Sequence, residues 1–208
     1  MESKTGNISN PSFSIRNLLL VLIFVGMVTA GNLMLNRGSP AVGYNRYAGY
    51  GFSIDYSQRM TLREVNLEGN GSPTDAMGMV QWTRQEMELE QFSVIWGSPE
   101  FFSLETDFDP EKVLDEFFFL IETSGTVIED RGEFETMTYN GRYVVYQKFM
   151  LVDSGIDISS IIGSWYCENN GKFFILNAIH VPDLANPEIL SQSVESNWFG
   201  YLYTLSCY

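Results

Sequence analysis

Leu18 to Leu35 is a run of 18 residues in which only Thr29 and Asn32 interrupt apolar character, and it lies between Arg16 and Arg37. As a helix it extends about 27 Å, close to the hydrocarbon thickness of a bilayer. Such a segment either stays in a membrane or is removed as a leader, and both fates export the remainder of the chain. Val28-Thr29-Ala30 carries the small residues of a cleavage site, so secretion after cleavage near Ala30 is one reading. Apolar character resumes in Leu33, Met34 and Leu35, which favours a retained signal-anchor. Lys4 and Arg16 precede the run while Arg37 and Arg46 come after it, so the positive-inside count does not orient it. A domain of this size translocates largely regardless of charge, which places the N-terminus inside and the domain outside.

The run divides the chain into a tail (1–17), a transmembrane signal-anchor or signal peptide (18–35), a linker (36–43) and one extracytoplasmic domain (44–208). Gly38-Ser39-Pro40 gives the linker its flexible composition. The domain is long enough for one core. Setting aside Lys4, Arg16, Arg37 and Glu2 leaves 9 of 12 basic and 25 of 26 acidic residues, a net charge of −16. A surface of that sign repels phosphate backbones, so no nucleic-acid partner is expected.

Cys167 and Cys207 suit an exported domain: as a disulfide they close a loop of about 40 residues, and as thiols they remain two separate side chains. Asn70-Gly71-Ser72 is a glycosylation acceptor pattern, with Pro73 directly after it.

Along the domain, Gly51-Phe52-Ser53-Ile54-Asp55-Tyr56 alternates like a strand with one buried face. Asp75 to Arg84 and Gln91 to Gly97 read as the next two strands. Asp109-Pro110-Glu111 is a helix start, with an N-cap acceptor, Pro at the first helical position and acidic charge against the dipole. The helix it opens puts Val113, Leu114, Phe117, Leu120 and Ile121 on one face and ends at Gly125. Thr126 to Thr138 and Arg142 to Val152 form a strand pair across Asn140-Gly141. Tyr143 to Val152, Ile161 to Cys167 and Phe173 to Val181 are apolar on both faces, so helices must cover the sheet on both sides. Leu190, Val194, Trp198, Leu202 and Leu205 recur at near-helical spacing between Pro187 and Leu205. The expected class is α+β, a mostly antiparallel sheet of six or seven strands sandwiched by helices.

This order resembles the PsbP-like superfamily, an α-β-α sandwich. Tyr50-Gly51-Phe52-Ser53-Ile54-Asp55-Tyr56 is similar to its opening strand, with Ser57 where the family often has Pro. Tyr139-Asn140-Gly141-Arg142 looks like its mid-chain hairpin, and Gly171-Lys172-Phe173-Phe174-Ile175-Leu176 like its late strand. These are turn and core residues, so the resemblance implies a fold and a binding or assembly role, and carries no active site with it.

Catalytic groups are scarce. His180 is the single histidine and sits in an apolar strand, where a structural role is the default. There is no G-x-S-x-G, H-E-x-x-H, Walker loop or C-x-x-C. Asp107, Asp109 and Glu111 offer oxygen ligands at alternating positions, the weak candidate for a cation site, without the Gly and distal Glu of an EF-hand. No cofactor is expected. Three consecutive Phe residues cannot share one helix face, so Phe118 or Phe119 should point outward as an interface residue. The sequence therefore points to a non-enzymatic, membrane-anchored binding or assembly module with a protein partner. The alternatives are a carrier for a small apolar or glycan ligand held between sheet and helix, and last a carboxylate-dependent hydrolase.

Overall fold

A computed structural model describes residues 43–65, 77–85, 89–102, 104, 109–123, 126–153, 156–181 and 190–208. Leu18–Leu35, the linker up to residue 42, Asn70 and Asp107 lie outside these residues. Among the described residues no helix is long and apolar enough to cross a membrane.

In chain order the elements are β1 (Tyr44–Gly49), β2 (Phe52–Ser57), β3 (Thr61–Val65), β4 (Met77–Gln85), β5 (Leu89–Gly97), a 3-10 turn (Pro99–Phe102) and α1 (Pro110–Thr123). The second half holds β6 (Val127–Arg131), β7 (Glu135–Tyr139), β8 (Arg142–Asp153), β9 (Ile156–Cys167), β10 (Lys172–Val181), α2 (Leu190–Thr204) and β11 (Ser206–Cys207). The described pairings are antiparallel. The large sheet runs β3-β4-β5-β10-β9-β8-β6, with β7 also on β8, and a small sheet runs β1-β2-β11.

The α+β class and the mostly antiparallel sheet are as the sequence implies. The strand count is corrected: eleven strands form two sheets among the described residues, not six or seven in one. Short, exposed strands carry little apolar alternation, which hides β1 and β7. The single strand expected from Thr126 to Thr138 breaks at residues 132–134, so β6 and β7 pair with successive parts of β8.

Strand alternation builds two cores, one on each face of the large sheet. On one face Ile95, Val145, Phe149, Ile162, Phe173 and Ile175 pack against Val113, Leu114, Phe117, Phe118 and Ile121 of α1. On the other, Trp82, Phe92, Trp96, Trp165, Phe174 and Leu176 pack against Val194, Trp198 and Leu202 of α2 and against Phe52 and Ile54 of the small sheet. Burying an aromatic or aliphatic side chain this completely is worth about 1.5–3 kcal/mol, so these layers dominate stability.

The helix start forms as its residues dictate: the Glu111 amide donates to Asp109 Oδ1 at 3.0 Å. The β7–β8 hairpin turns through Asn140 and Gly141, with φ of 50° and 76°. Both values are left-handed, the conformation an Asn-Gly turn supplies. A Cβ on Gly141 would meet nothing within 4 Å, so Gly141→Ala isolates backbone strain. It is expected to cost about 1–3 kcal/mol in urea unfolding, and Gly141→Asn less, since Asn tolerates this region better. Tyr50, φ 51°, takes the same conformation before Gly51, and its ring stacks on Trp96 at 4.7 Å.

Candidate functional site

Among the described residues a largely closed row, an open groove and a smaller open pocket of about 270 Å³, lined in part by Asp130, Lys148, Ser159, Ser160 and Glu195, each gather polar side chains. The closed one is a row across β4, β5 and β10 on the α2 face. Arg84 stands opposite Glu90, and Glu90 opposite His180. Arg84 Nη2 lies 2.8 Å from Glu90 Oε2, and Tyr201 of α2 donates its hydroxyl to Glu90 Oε1 at 2.6 Å. Burial, then the charge of Glu90, drives the Tyr201 phenol far above its ordinary range. The Tyr201 ring stacks on Phe92, which stacks on Trp82. Glu90 and His180 are both buried, so this cluster fixes α2 to the sheet and presents no reacting group to a substrate. Tyr201→Phe is expected to cost about 1–3 kcal/mol because it strips a hydrogen bond from a buried carboxylate. A urea midpoint equal to that of the native protein would contradict this.

The roomier of the two open sites is a groove of about 660 Å³ at the end of the large sheet where β8 begins and β9 ends. That volume is in the range of about 300–1,000 Å³ found for ligand sites. Pairing between β8 and β9 stops at Val145↔Ser164. Beyond it, Arg142 to Val144 pair with β7, and Trp165 to Cys167 pair with β10. The two strands therefore part like the arms of a fork. Arg142 and Tyr143 line one side, Tyr166, Glu168 and Asn169 the other, and Pro110 at the start of α1 closes one end.

Local chemistry holds this fork in shape. Cys167 and Cys207 are disulfide-bonded, with Cα atoms 6.4 Å apart, and both line the groove. Asn170 Nδ2 donates to the carbonyls of Gly51 and Tyr208 at 3.1 and 3.3 Å, tying the β9–β10 turn to the small sheet. On the opposite arm, Tyr139 donates its hydroxyl to the Tyr203 carbonyl at 2.8 Å, and Arg142 Nη1 donates to the Leu205 carbonyl at 3.2 Å. A cation beside the last carbonyls of α2 complements the helix dipole. Arg142 has no carboxylate within ion-pair distance among the described residues, although acidic groups far outnumber basic ones. Partial burial lowers its pKa from the usual guanidinium value, yet an arginine stays charged.

The residues singled out in the sequence fall elsewhere. Asp109 uses a carboxylate oxygen on the helix cap, Glu111 is exposed, and no group of three His, Cys, Asp or Glu is placed to hold a metal among the described residues. Of the paired phenylalanines, Phe119 is 53% exposed, whereas Phe118 is buried and is corrected to a core residue. The reason is Arg131, whose guanidinium covers the Phe118 ring at 4.1 Å and pairs with Asp115 of the same helix, while Phe149 meets that ring edge-on. Trp82, Trp165 and Trp198 fill the middle of the layer between α2 and the sheet, and a pocket of about 270 Å³ opens at its edge between Val194 and Glu195 of α2 and Ser159 and Ser160 of β9. Arg142, Tyr143, Tyr166 and Asn169 are site residues that local pattern does not single out. Both turns are legible in the sequence, but the parting of β8 from β9 between them leaves no trace there.

No protein-family model and no curated protein matches the chain. Solved structures do. Cyanobacterial PsbP (CyanoP) from Synechocystis sp. PCC 6803 aligns with a TM-score of 0.53 at 13% identity, covering 85% of this chain and 99% of that one. A Pseudomonas aeruginosa protein of unknown function, PA94, aligns with a TM-score of 0.42 at 12% identity, covering 79% and 97%. At such identities likeness speaks for architecture alone, and with the two helix-covered faces of the antiparallel sheet it establishes that the chain has a PsbP-like fold.

Proposed function

We propose that this protein is a non-enzymatic, membrane-anchored accessory module whose extracytoplasmic domain docks a protein partner at the forked end of its large sheet. The observation that carries the reading is the groove itself: an open cleft between two pinned turns, lined by two tyrosines and by a guanidinium that has no ion pair among the described residues. In the polar cluster around Glu90, the carboxylate and His180 are buried in the core. A PsbP-like fold is typical of accessory subunits, which agrees. The Cys167–Cys207 disulfide supports an oxidising compartment, because such bonds persist outside the cytosol and are rare within it. The apolar run Leu18–Leu35 supplies the tether.

A photo-reactive phenylalanine analogue placed at Tyr143 in the full chain, irradiated in native membranes, tests this. The expected product is an adduct with one defined protein, absent when the analogue stands at Leu62 on β3. A Tyr143 chain that stays uncrosslinked, or reacts no differently from the Leu62 control, overturns the docking role.

A further inference from the structure

We propose that the outer edge of β7 receives an extended, basic segment of another polypeptide, which adds to the large sheet as a further strand beside Thr136 and Thr138. This surface lies apart from the fork, and the inference stands without the docking role proposed there.

Hairpin geometry decides which main-chain groups are on offer. Tyr139 and Arg142 flank the two-residue Asn140-Gly141 turn, and in such a hairpin the flanking pair exchanges hydrogen bonds. Alternation then directs the N–H and C=O groups of Glu135, Met137 and Tyr139 at β8, and those of Thr136 and Thr138 away from it. Nothing pairs with β7 on that outer side, because β6 takes a separate stretch of the same edge of β8. Neither threonine makes a main-chain hydrogen bond there among the described residues. An added strand satisfies both through their two donors and two acceptors.

Edges of this kind are ordinarily blunted by charge, proline, a bulge or shortness. The other outer strands follow that rule: β1 carries Arg46, β3 carries Arg63 and Glu64, β6 breaks register between Ile128 and Asp130, and β11 has two residues. By contrast, β7 pairs in unbroken register, and its run Thr136-Met137-Thr138-Tyr139 contains no charge and no proline.

The surroundings select the occupant. Glu129, Asp130 and Glu133 are exposed and have no ion pair among the described residues. The neighbouring cations are already committed, Lys148 to Glu135 and Glu195 at 3.8 and 3.0 Å, and Arg131 to Asp115 and the face of the Phe118 ring. The edge therefore carries surplus negative charge, which attracts lysine or arginine on an incoming strand and opposes a second copy of this acidic chain. On the α2 face, Met137 and Tyr139 are half-buried, and the Tyr139 ring lies 5.0 Å from the exposed ring of Tyr203. Apolar side chains at alternate positions of the added strand settle on this surface.

The test titrates the full-length chain in neutral detergent micelles with the peptide acetyl-Lys-Thr-Val-Thr-Val-Thr-Lys-amide, following the Thr136 and Thr138 amides by NMR. Saturable shifts at both are expected. The same peptide N-methylated at its three central amides should bind about tenfold more weakly or worse, and one with Glu at both ends about fivefold more weakly. Thr136→Pro removes an outward donor and spares the ladder to β8, so it should weaken binding about tenfold while the Thr138↔Tyr143 register persists. Thr136→Val keeps the donor and should bind like the native chain. Equal affinity for the N-methylated peptide, or equal affinity of the Thr136→Pro chain, refutes strand addition. Equal affinity for the Glu-ended peptide refutes selection by charge, and lysine amide producing the same shifts would reduce the edge to a simple cation attractor and overturn the inference. Disulfide-linked dimers of a Met137→Cys chain would give the edge to a second copy and overturn it too. Absence of saturable shifts also overturns it, while a Tyr143 crosslink obtained in membranes would leave the docking role of the fork standing.

Discussion

Gly163→Ala is expected to lower the stability of the domain by about 2–3 kcal/mol, although alanine ordinarily suits a strand better than glycine. Gly163 lies in β9 on the face covered by α2, and a Cβ there would stand 2.4 Å from Trp198 Cζ2 and 2.9 Å from Cη2. Trp198 has no easy retreat. Its ring is buried, it packs against Tyr146 and Phe199, and its Nε1 donates to the Leu176 carbonyl at 2.9 Å. The clash must therefore move α2 or break that bond. Gly200→Ala is the control, since a Cβ at that helical position meets nothing within 4 Å and should stabilise by up to about 1 kcal/mol. Urea unfolding followed by tryptophan fluorescence measures both. Combining Gly163→Ala with Trp198→Phe should recover part of the loss by shortening the ring that collides. A Gly163→Ala midpoint matching the native one would show that Trp198 does not press on β9.

Removing the Cys167–Cys207 bridge, by reductant or by Ser at both positions, should cost about 4 kcal/mol in the chain-entropy account of a 40-residue loop. The mechanism of disulfide stabilisation is debated, but the structure adds a local consequence that does not depend on it. The strand β11 has only two residues paired to β2, Ser206↔Ser53 and Cys207↔Phe52. Without the covalent link, little holds it: the Ser53–Ser206 hydroxyl contact, the Tyr208 amide on the Gly51 carbonyl and the Asn170 amide. Amide exchange at Ser206 to Tyr208 should accelerate far more than exchange in β9 or β10. Unfolding midpoints that coincide with and without reductant would refute the assigned role of the bridge.

Much of the architecture is legible in the residues because the responsible signals are local. The cap at Asp109, the Asn140-Gly141 turn and the apolar face of α1 each depend on a few adjacent positions, and each is realised. The doubly apolar strands β8, β9 and β10 announce a sheet covered on both sides. The small sheet is not legible, since its third strand is two residues contributed by the far end of the chain. Phe118 shows the same limit on a smaller scale. Helical spacing puts it at the edge of the apolar stripe, next to Leu114 and Ile121, and contacts from distant strands, the Phe149 ring of β8 and the Arg131 guanidinium of β6, complete its burial. The groove is the least legible part, because it arises where a pairing ends between residues some twenty positions apart in sequence.

The arrangement of β1, β2 and β11 determines how the fold bears mechanical load. Tension entering at residue 43 reaches β1, whose sheet pairing is to β2 alone. The next strand inward is stitched to β11, and β11 is covalently joined to the large sheet through Cys207 and Cys167. Pulling from that end peels β1 first, drawing Tyr47 out of its packing against Phe52 and Trp82, and then loads β2 against a strand that is crosslinked to the large sheet.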